Sequence, residues 1–146
     1  MSKKIVLATD HAGFELKEHV KNILSKKGIE IKDFGAFTYD AQDDYPDFIL
    51  PAAKYIAENN LIGIIFGGSG QGEAIAANRV KGIRAAVYYG GSEEIIQLSK
   101  LHNNANILSM GARFVDQTSA EKIIDLWLST YFEKGRHQRR IEKLDS

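Results

Sequence analysis

The stretch LIGIIFGGSGQGEAIAANRV, residues 61–80, places a strand, a glycine-rich turn and a helix in direct succession. The branched apolar run LIGIIF is typical of a strand that is buried on both faces of a parallel sheet. The glycines at 67, 68, 70 and 72 then permit a tight turn into the helix GEAIAANRV. A buried strand that leads directly into a helix predicts an α/β fold with parallel strands.

The same alternation of strand and helix continues through the rest of the chain. Asp44 and Ser92 are predicted to cap helices, and Pro51 predicts a kink or a late start in the second helix. Five strands and five helices without a linker predict a single α/β domain over residues 1–146, a three-layer sandwich with a five-stranded parallel sheet. Its ligands should bind at the carboxyl ends of the strands. The predicted strands are 3–9, 29–34, 61–66, 82–89 and 105–111, and the predicted helices are 13–28, 46–59, 72–80, 92–103 and 119–134.

Composition excludes several classes of protein. The 19 basic residues balance the 19 acidic residues, so no overall basic field attracts nucleic acid or an anionic membrane. The absence of cysteine excludes disulfides, thiolate metal sites and cysteine nucleophiles. No apolar run approaches the ~18 residues of a membrane span, and the first residues lack a signal-peptide pattern, so we expect a cytoplasmic protein.

The glycine-rich turn ends in an acidic residue, Glu73, which would repel a phosphate. The turn lacks the Lys-Ser/Thr pair of a Walker loop and follows the third strand rather than the first. The glycines either only permit the turn, or backbone N–H groups of 68–72 and the Ser69 hydroxyl stabilise an oxyanion that forms during a reaction. Glu73 is correspondingly either stabilised by the helix dipole or a base that removes a proton from carbon.

Two further motifs contain histidine. Asp10 and His11 follow the first strand, where Asp10 either caps the next helix or joins His11 in a site at the strand's carboxyl end. His102 and Asn103 either end a helix, or supply a general acid and base and a group that orients substrate hydroxyls.

The basic tail GRHQRR, residues 135–140, places Arg136 and Arg140 four positions apart. The tail is either a solvated surface or a pair of guanidinium groups that bind one phosphate. His19 and His137 have no comparable neighbours in the sequence. Because no cluster of histidine and acidic residues has metal-ligand spacing, we predict no metal.

Taken together, the motifs DHAGFELK, DYPDF, GGSGQGEAIAANR, LHNNAN, GAR and GRHQRR make the chain resemble the type B ribose-5-phosphate isomerases. The wider family includes galactose-6-phosphate isomerase subunits, and the resemblance covers essentially the whole chain. It implies a Rossmann-like fold, a homodimer or dimer of dimers whose sites combine residues of two subunits, and no metal or organic cofactor.

The resemblance also implies a role for each motif residue. Asp10 contacts the ring oxygen or hydroxyls of the sugar, and His102 assists ring opening. The remaining residues bind substrate: the phosphate contacts are His11, Arg113, Arg136 and Arg140, the cleft and oxygen contacts are Tyr45 and Asn103, and the enediolate contacts are Ser69 and the amides of Gly68, Gly70 and Gly72.

One position divides the family. Many members have a cysteine base where this chain has Gly67, whereas another branch uses the glutamate that matches Glu73. The resemblance therefore implies that Glu73 is the base of an aldose–ketose isomerase of the pentose phosphate pathway, which interconverts ribose 5-phosphate and ribulose 5-phosphate. Isomerisation of allose 6-phosphate, galactose 6-phosphate or erythrulose 4-phosphate remains an alternative, as does a non-catalytic phosphosugar sensor.

Overall fold

The structure, a computed structural model, describes residues 4–146. A short 3-10 turn, His11–Gly13, joins the first strand to the first helix. The strands are Lys4–Thr9 (β1), Glu30–Asp33 (β2), Ile62–Gly67 (β3), Ala85–Tyr88 (β4) and Ile107–Gly111 (β5). The helices are Phe14–Lys26 (α1), Pro46–Asn59 (α2), Gln71–Asn78 (α3), Glu93–Leu101 (α4), Gln117–Ser129 (α5) and Arg136–Glu142 (α6).

All five strands pair in parallel, in the order β2-β1-β3-β5-β4. From β1 the chain passes to β2 on one side and then to β3 on the other. The strand order therefore reverses between β1 and β3, where Thr9 pairs with Phe66. On the other side of β3, Gly67 pairs with Gly111 at the end of β5. Ligands of open α/β sheets bind at such a reversal, beyond the carboxyl ends of the strands. The predicted five-stranded parallel sheet is confirmed.

Helices cover both faces of the sheet, as the three-layer prediction requires. One core packs side chains of α1, α4 and α5, including Leu16, Ile96 and Trp127, against one face. The other packs side chains of α2 and α3, including Ile49 and Ala77, against the opposite face. Within residues 4–146, every helix is too short or too polar to cross a membrane.

The second helix has its predicted bounds of 46–59, whereas two details predicted for its start are wrong. It begins at Pro46 and continues through Pro51, so the predicted late start is wrong. The predicted cap by Asp44 is also wrong, because Tyr45 is the N-cap and makes no side-chain capping bond. The amides of Asp47 and Phe48 already donate to the backbone carbonyls of Asp44 and Tyr45, which leaves these donors satisfied without a carboxylate.

Two other boundaries bear on the predictions. The strand predicted over 3–9 is a strand over Lys4–Thr9, and residue 3 lies outside the described residues. The helix predicted over 119–134 ends at Ser129, because the Thr130 hydroxyl donates to the Leu126 carbonyl and the backbone turns extended. The predicted Ser92 cap is confirmed by its bond from the Glu94 amide at 3.2 Å.

A buried ion pair anchors the loop that leads from β2 into α2. The Lys17 ammonium is fully buried, donates to both Asp33 carboxylate oxygens at 2.9 and 2.8 Å, and donates to the Ala36 carbonyl at 2.7 Å. Lys21 also donates to Asp33. These bonds fix the start of the loop over 34–45, which passes the carboxyl end of β1.

Candidate active site

The glycine-rich turn between β3 and α3 packs tightly against the end of β5. Gly70 has a left-handed φ of 80°, and a β-carbon there would lie 3.1–3.2 Å from backbone atoms of Met110 and Gly111. The Ser109 hydroxyl donates to the Gly70 carbonyl at 2.7 Å. Glycine is therefore required at 70 both for its backbone conformation and for this close approach.

Glu73 lies in the first turn of α3, and it is buried with only 4% of its surface exposed. Its carboxyl group occupies the space directly above Gly67, where the β-carbon of any larger residue would point. Burial is the main cause that raises the pKa of Glu73, the charge of Asp10 raises it further, and its own backbone amide opposes both. A buried carboxylate with a raised pKa is suited to accept a proton from carbon.

Three other predicted residues surround the turn. The Tyr45 ring lies so close to Gly72 that a β-carbon there would be 2.8 Å from the ring. The Arg113 guanidinium lies over Gly68, at 3.0–3.3 Å from the corresponding position, while its backbone amide donates to the Gly68 carbonyl. The Ser69 hydroxyl oxygen accepts from the Gln71 amide at 3.3 Å.

Asp10 and His11 extend this group from the end of β1. Asp10 is buried and accepts from the Ala12 amide at 3.0 Å, so it caps the 3-10 turn His11–Gly13 rather than α1, whose N-cap is Gly13. Its charge reaches Glu73 and His11. His11 Nδ1 lies 2.7 Å from Asp43 Oδ1, and the same oxygen accepts from the His11 amide at 3.1 Å.

A second group of predicted residues lies elsewhere on the chain. His102, Asn103 and Arg140 line a cavity of about 260 Å³ together with His137. The rings of His102 and His137 stack, with centroids 4.2 Å apart. Although His137 has no comparable neighbours in the sequence, α6 brings it onto the end of α4. His19 likewise lies 3.4 Å from Glu121.

The helical tail supports one part of the sequence interpretation. Arg136 and Arg140 both lie on α6, as their spacing of four predicts. The charges of both act on His137.

These two groups lie at opposite edges of the sheet. The segment after His102 lies beside the amino ends of the strands, where the Gly63 amide donates to the Asn106 carbonyl at 2.9 Å. Glu73 and Arg113 instead lie at the carboxyl ends. β3 has six residues, so at about 3.3 Å per residue roughly 16 Å separates the two edges. One chain therefore does not bring His102, Asn103, Arg136 and Arg140 to the glycine turn.

Among residues 4–146, two sets of three ligand-type side chains have donor atoms within 4.8 Å of one another: His102 with Glu133 and His137, and Asp10 with His11 and Asp43. In the first set the rings are nearly parallel, at 15°, so their lone pairs do not converge on one point. In the second set, Oδ1 of Asp43 and Oδ1 of Asp10 already accept hydrogen bonds, whereas Oδ2 of Asp43 has no hydrogen-bond partner among residues 4–146. The prediction of no metal stays a prediction.

Comparison with known proteins gives the family. The sequence profile of the family described as Ribose/Galactose Isomerase matches residues 5–144. The chain belongs to this family. Ribose-5-phosphate isomerase B of Mycolicibacterium paratuberculosis is 45% identical over 97% of this chain and 89% of its own length.

Solved structures of relatives have the same fold. A ribose 5-phosphate isomerase of Thermotoga maritima matches with a TM-score of 0.92 and 45% identity, over 99% of both chains. Ribose-5-phosphate isomerase B of Mycoplasma genitalium, solved with bound ribulose 5-phosphate, matches with a TM-score of 0.93 and 42% identity, over 99% of this chain and 95% of that chain.

The sequence analysis missed two neighbours of family-motif residues. Asp43 contacts His11, although it stands in a polar loop with three aspartates that the sequence alone does not distinguish. Glu133 lies 3.7 Å from His102 and 3.5 Å from His137. Its segment was predicted to be helical, which obscured the contact.

Proposed function

We propose that this protein is an aldose–ketose isomerase that interconverts ribose 5-phosphate and ribulose 5-phosphate. The observation that carries the proposal is the buried carboxyl group of Glu73 above Gly67, in a turn whose other glycines bring Arg113 and Tyr45 close to its backbone. The bound ribulose 5-phosphate of the Mycoplasma genitalium relative, at 42% identity, supports the choice of substrate.

Glu73 carries the proton between the two carbons. In the open-chain aldose, Glu73 removes the proton on carbon 2, the C2–H electrons form the C1–C2 double bond, and the carbonyl oxygen becomes an enediolate oxyanion. The Ser69 hydroxyl and backbone N–H groups of 68–72 stabilise this charge. Glu73 then returns the proton to carbon 1 while the hydroxyl proton on O2 passes to the oxyanion O1, so that carbon 2 becomes the ketone and carbon 1 carries a hydroxyl. The raised pKa of Glu73 makes its carboxylate a stronger base than a free glutamate.

The opposite positions of the two residue groups support a homodimer or dimer of dimers with shared sites. In this arrangement, His102 of the partner subunit opens the furanose ring and the partner's Asn103 holds substrate oxygen. Asp10 contacts the ring oxygen, and Tyr45 lines the cleft. A site built from one chain alone would lack the ring-opening group.

Phosphate binding follows the same division. His11 and Arg113 approach the phosphate from the glycine-turn side, and Arg136 and Arg140 of the partner subunit approach it from the other. Guanidinium groups suit this role because they bind phosphate oxygens in pairs. Binding energy at the phosphate, remote from the reacting carbons, positions carbons 1 and 2 against Glu73.

The experiment compares turnover on ribose 5-phosphate, allose 6-phosphate, galactose 6-phosphate and erythrulose 4-phosphate, with chelator present and absent. We expect the highest kcat/KM on ribose 5-phosphate and no effect of the chelator. In D₂O, the enzyme should also exchange the carbon 2 proton of bound substrate. If the protein binds the sugar phosphates but exchanges no carbon-bound proton in any of the four, it is a phosphosugar sensor instead. A higher kcat/KM on another of the four sugars would make that sugar the substrate.

A cytoplasmic location is also part of the proposal.

A further inference from the structure

The carboxylate of Asp43 contacts His11 at two points. Its Oδ1 accepts from the His11 backbone amide at 3.1 Å and lies 2.7 Å from His11 Nδ1. The side chain of Asp43 is 9% exposed and that of His11 is 24% exposed. The hydrogen bond from the His11 backbone amide positions the Asp43 carboxylate next to the ring nitrogen. The contact therefore does not rest on the side chains alone.

The other carboxylate oxygen of Asp43, Oδ2, leaves His11 to compensate the negative charge of the side chain. Oδ2 is buried and, among residues 4–146, has no hydrogen-bond partner. A buried carboxylate is costly unless a positive group compensates it. The ion-pair partner that the structure gives Asp43 is His11. The burial that hides Asp43 therefore favours the protonated form of the imidazole.

The contact also selects which ring nitrogen faces outward. Because Nδ1–H is used by Asp43, Nε2 carries a proton only when the ring is an imidazolium. A neutral ring held in this way would present a lone pair at Nε2, which repels an anion. A charged ring presents an N–H donor instead.

We propose that Asp43 is the positioning residue that keeps His11 as a charged, phosphate-binding imidazolium with its Nε2–H directed away from Asp43. The proposal rests on the proposed function, since it takes the phosphate of the sugar phosphate as the ligand of His11. It adds a residue that the family motifs of this chain do not assign.

The charges around His11 agree with this role. The hydrogen bond to Asp43 is the main cause that raises the pKa of His11, and the charges of Asp10 and Asp43 act in the same direction. Burial of the ring and the charge of Arg113 oppose them. The ring of Tyr39 meets that of His11 edge-on, with centroids 6.0 Å apart. The net direction keeps the imidazolium populated to higher pH than a free histidine.

Asp43→Asn separates the charge from the backbone bond. The asparagine oxygen still accepts from the His11 amide, so the loop keeps its anchor, while the negative charge is lost. The matched control is Asp40→Asn, because Asp40 is an exposed aspartate of the same loop whose Oδ1 accepts from the Gln42 amide at 3.0 Å.

The test uses NMR titration of the His11 ring, assigned with His11→Gln, and the dissociation constant of inorganic phosphate for the full-length protein at pH 5.5 and pH 8. We expect Asp43→Asn to lower the pKa of His11. It should also weaken phosphate binding about tenfold at pH 8, as for loss of one charge-assisted hydrogen bond. At pH 5.5 a larger fraction of the ring is charged in both proteins, so the ratio of the dissociation constant of Asp43→Asn to that of wild type should be smaller than at pH 8.

The ratio at each pH cancels the ionisation of phosphate itself. An unchanged titration of His11 in Asp43→Asn, or an equal loss of affinity at both pH values, would leave Asp43 as a loop anchor and overturn the proposal. Because neither measurement uses turnover, a wild-type protein that binds phosphate in this way but isomerises no pentose phosphate would refute the proposed function alone. If Asp43→Asn does not fold, the pKa of His11 and the pH dependence of phosphate affinity in wild type against His11→Gln decide the question.

Discussion

The carboxyl group of Glu73 lies where the side chain of residue 67 would otherwise be. A residue larger than glycine at 67 and a carboxylate at 73 therefore compete for one space at the carboxyl end of β3. In the resemblance drawn from the sequence, the cysteine-base and glutamate-base branches differ at these two positions. A side chain at 67 would point to the position of the Glu73 carboxyl group, which is consistent with the proposed role of Glu73 as the base.

Glu73→Gln tests the base directly. The amide keeps the shape of the side chain but does not accept a proton, so kcat should fall by about 10²–10⁴-fold. KM should change little because the phosphate contacts remain. The rate of the wild-type enzyme should rise with pH through one ionisation that lies above that of a free glutamate, since the pKa of Glu73 is raised. Steady-state kinetics across pH check both statements.

The same change should stabilise the fold at neutral pH. A carboxyl group whose pKa is raised by folding costs stability above that pKa, and the cost disappears as pH falls through it. Glu73→Gln should therefore melt at a higher temperature than wild type at pH 8, and the difference should shrink in acid. Glu94→Gln, which changes an exposed glutamate in the first turn of α4, is the control.

If Glu73→Gln keeps more than about a tenth of wild-type turnover, the group that removes the proton is not Glu73.

Gly67→Ala should inactivate the enzyme without removing any reactive group. The added methyl group occupies the position of the Glu73 carboxyl and displaces it, so kcat should approach that of Glu73→Gln. In the double variant Gly67→Cys, Glu73→Ala, the cysteine thiol takes the space of the Glu73 carboxyl group. This variant should recover activity relative to Glu73→Ala, and a thiol alkylating reagent should abolish the recovered activity. The wild-type chain has no cysteine, so its own activity should not respond. Full activity in Gly67→Ala would show that the carboxyl group has room to move.

The fold could be predicted from the sequence because periodicity and turn residues act locally. The run at β3, the Ser92 cap and the helical spacing of Arg136 and Arg140 all gave correct local structure. The placement of Asp10, His11 and Glu73 at one edge followed from the parallel sheet. The contact between Asp43 and His11 could not be predicted, because it depends on the path of the loop anchored by the buried Lys17. The stacking of His137 on His102 likewise depends on how α6 returns to α4.

Lys17→Met should strongly destabilise the protein. It leaves Asp33 buried without its main cation, and loss of one partner from a buried pair costs about 3–5 kcal/mol. Lys27→Met is the matched control, because Lys27 pairs with Asp125 at 2.7 Å on the surface and should change stability by under about 1 kcal/mol. Urea unfolding of both variants measures the difference. Equal effects would mean that burial of the Lys17 pair gives it no special importance.

Asp33 should also contribute to acid sensitivity. Burial opposes its ionisation, but bonds from Lys17, Lys21 and the Gly35 amide prevail and hold the pKa of Asp33 below its ordinary value of 3.8. A lowered pKa contributes stability above the ordinary value, which is lost as pH falls through the folded value. Unfolding free energies measured from pH 6 down to pH 3 should therefore fall less steeply in Asp33→Asn than in wild type.

Arg140→Ala should weaken substrate binding and inhibition by inorganic phosphate together, by about 1.5–3 kcal/mol for a charge-assisted contact. Arg139→Ala removes the same charge from the neighbouring position of α6, where the side chain does not line the cavity with His102. Inhibition constants for phosphate distinguish the two variants. If they change equally, the tail acts only through its overall charge.

The proposed shared site makes its own prediction, in which two inactive variants restore activity when mixed. Glu73→Gln and His102→Asn each disable every site of their own homodimer, because each site needs Glu73 of one subunit and His102 of the other. In a mixed dimer, one site contains both altered residues and the other contains neither. Random exchange of subunits makes half of the dimers mixed, so about a quarter of wild-type activity should appear.

The measurement is ribose 5-phosphate turnover after the variants are unfolded and refolded together, with separately refolded variants combined at the end as the control. Activity that stays at the sum of the two variants would contradict a site that takes Glu73 from one subunit and His102 from the other.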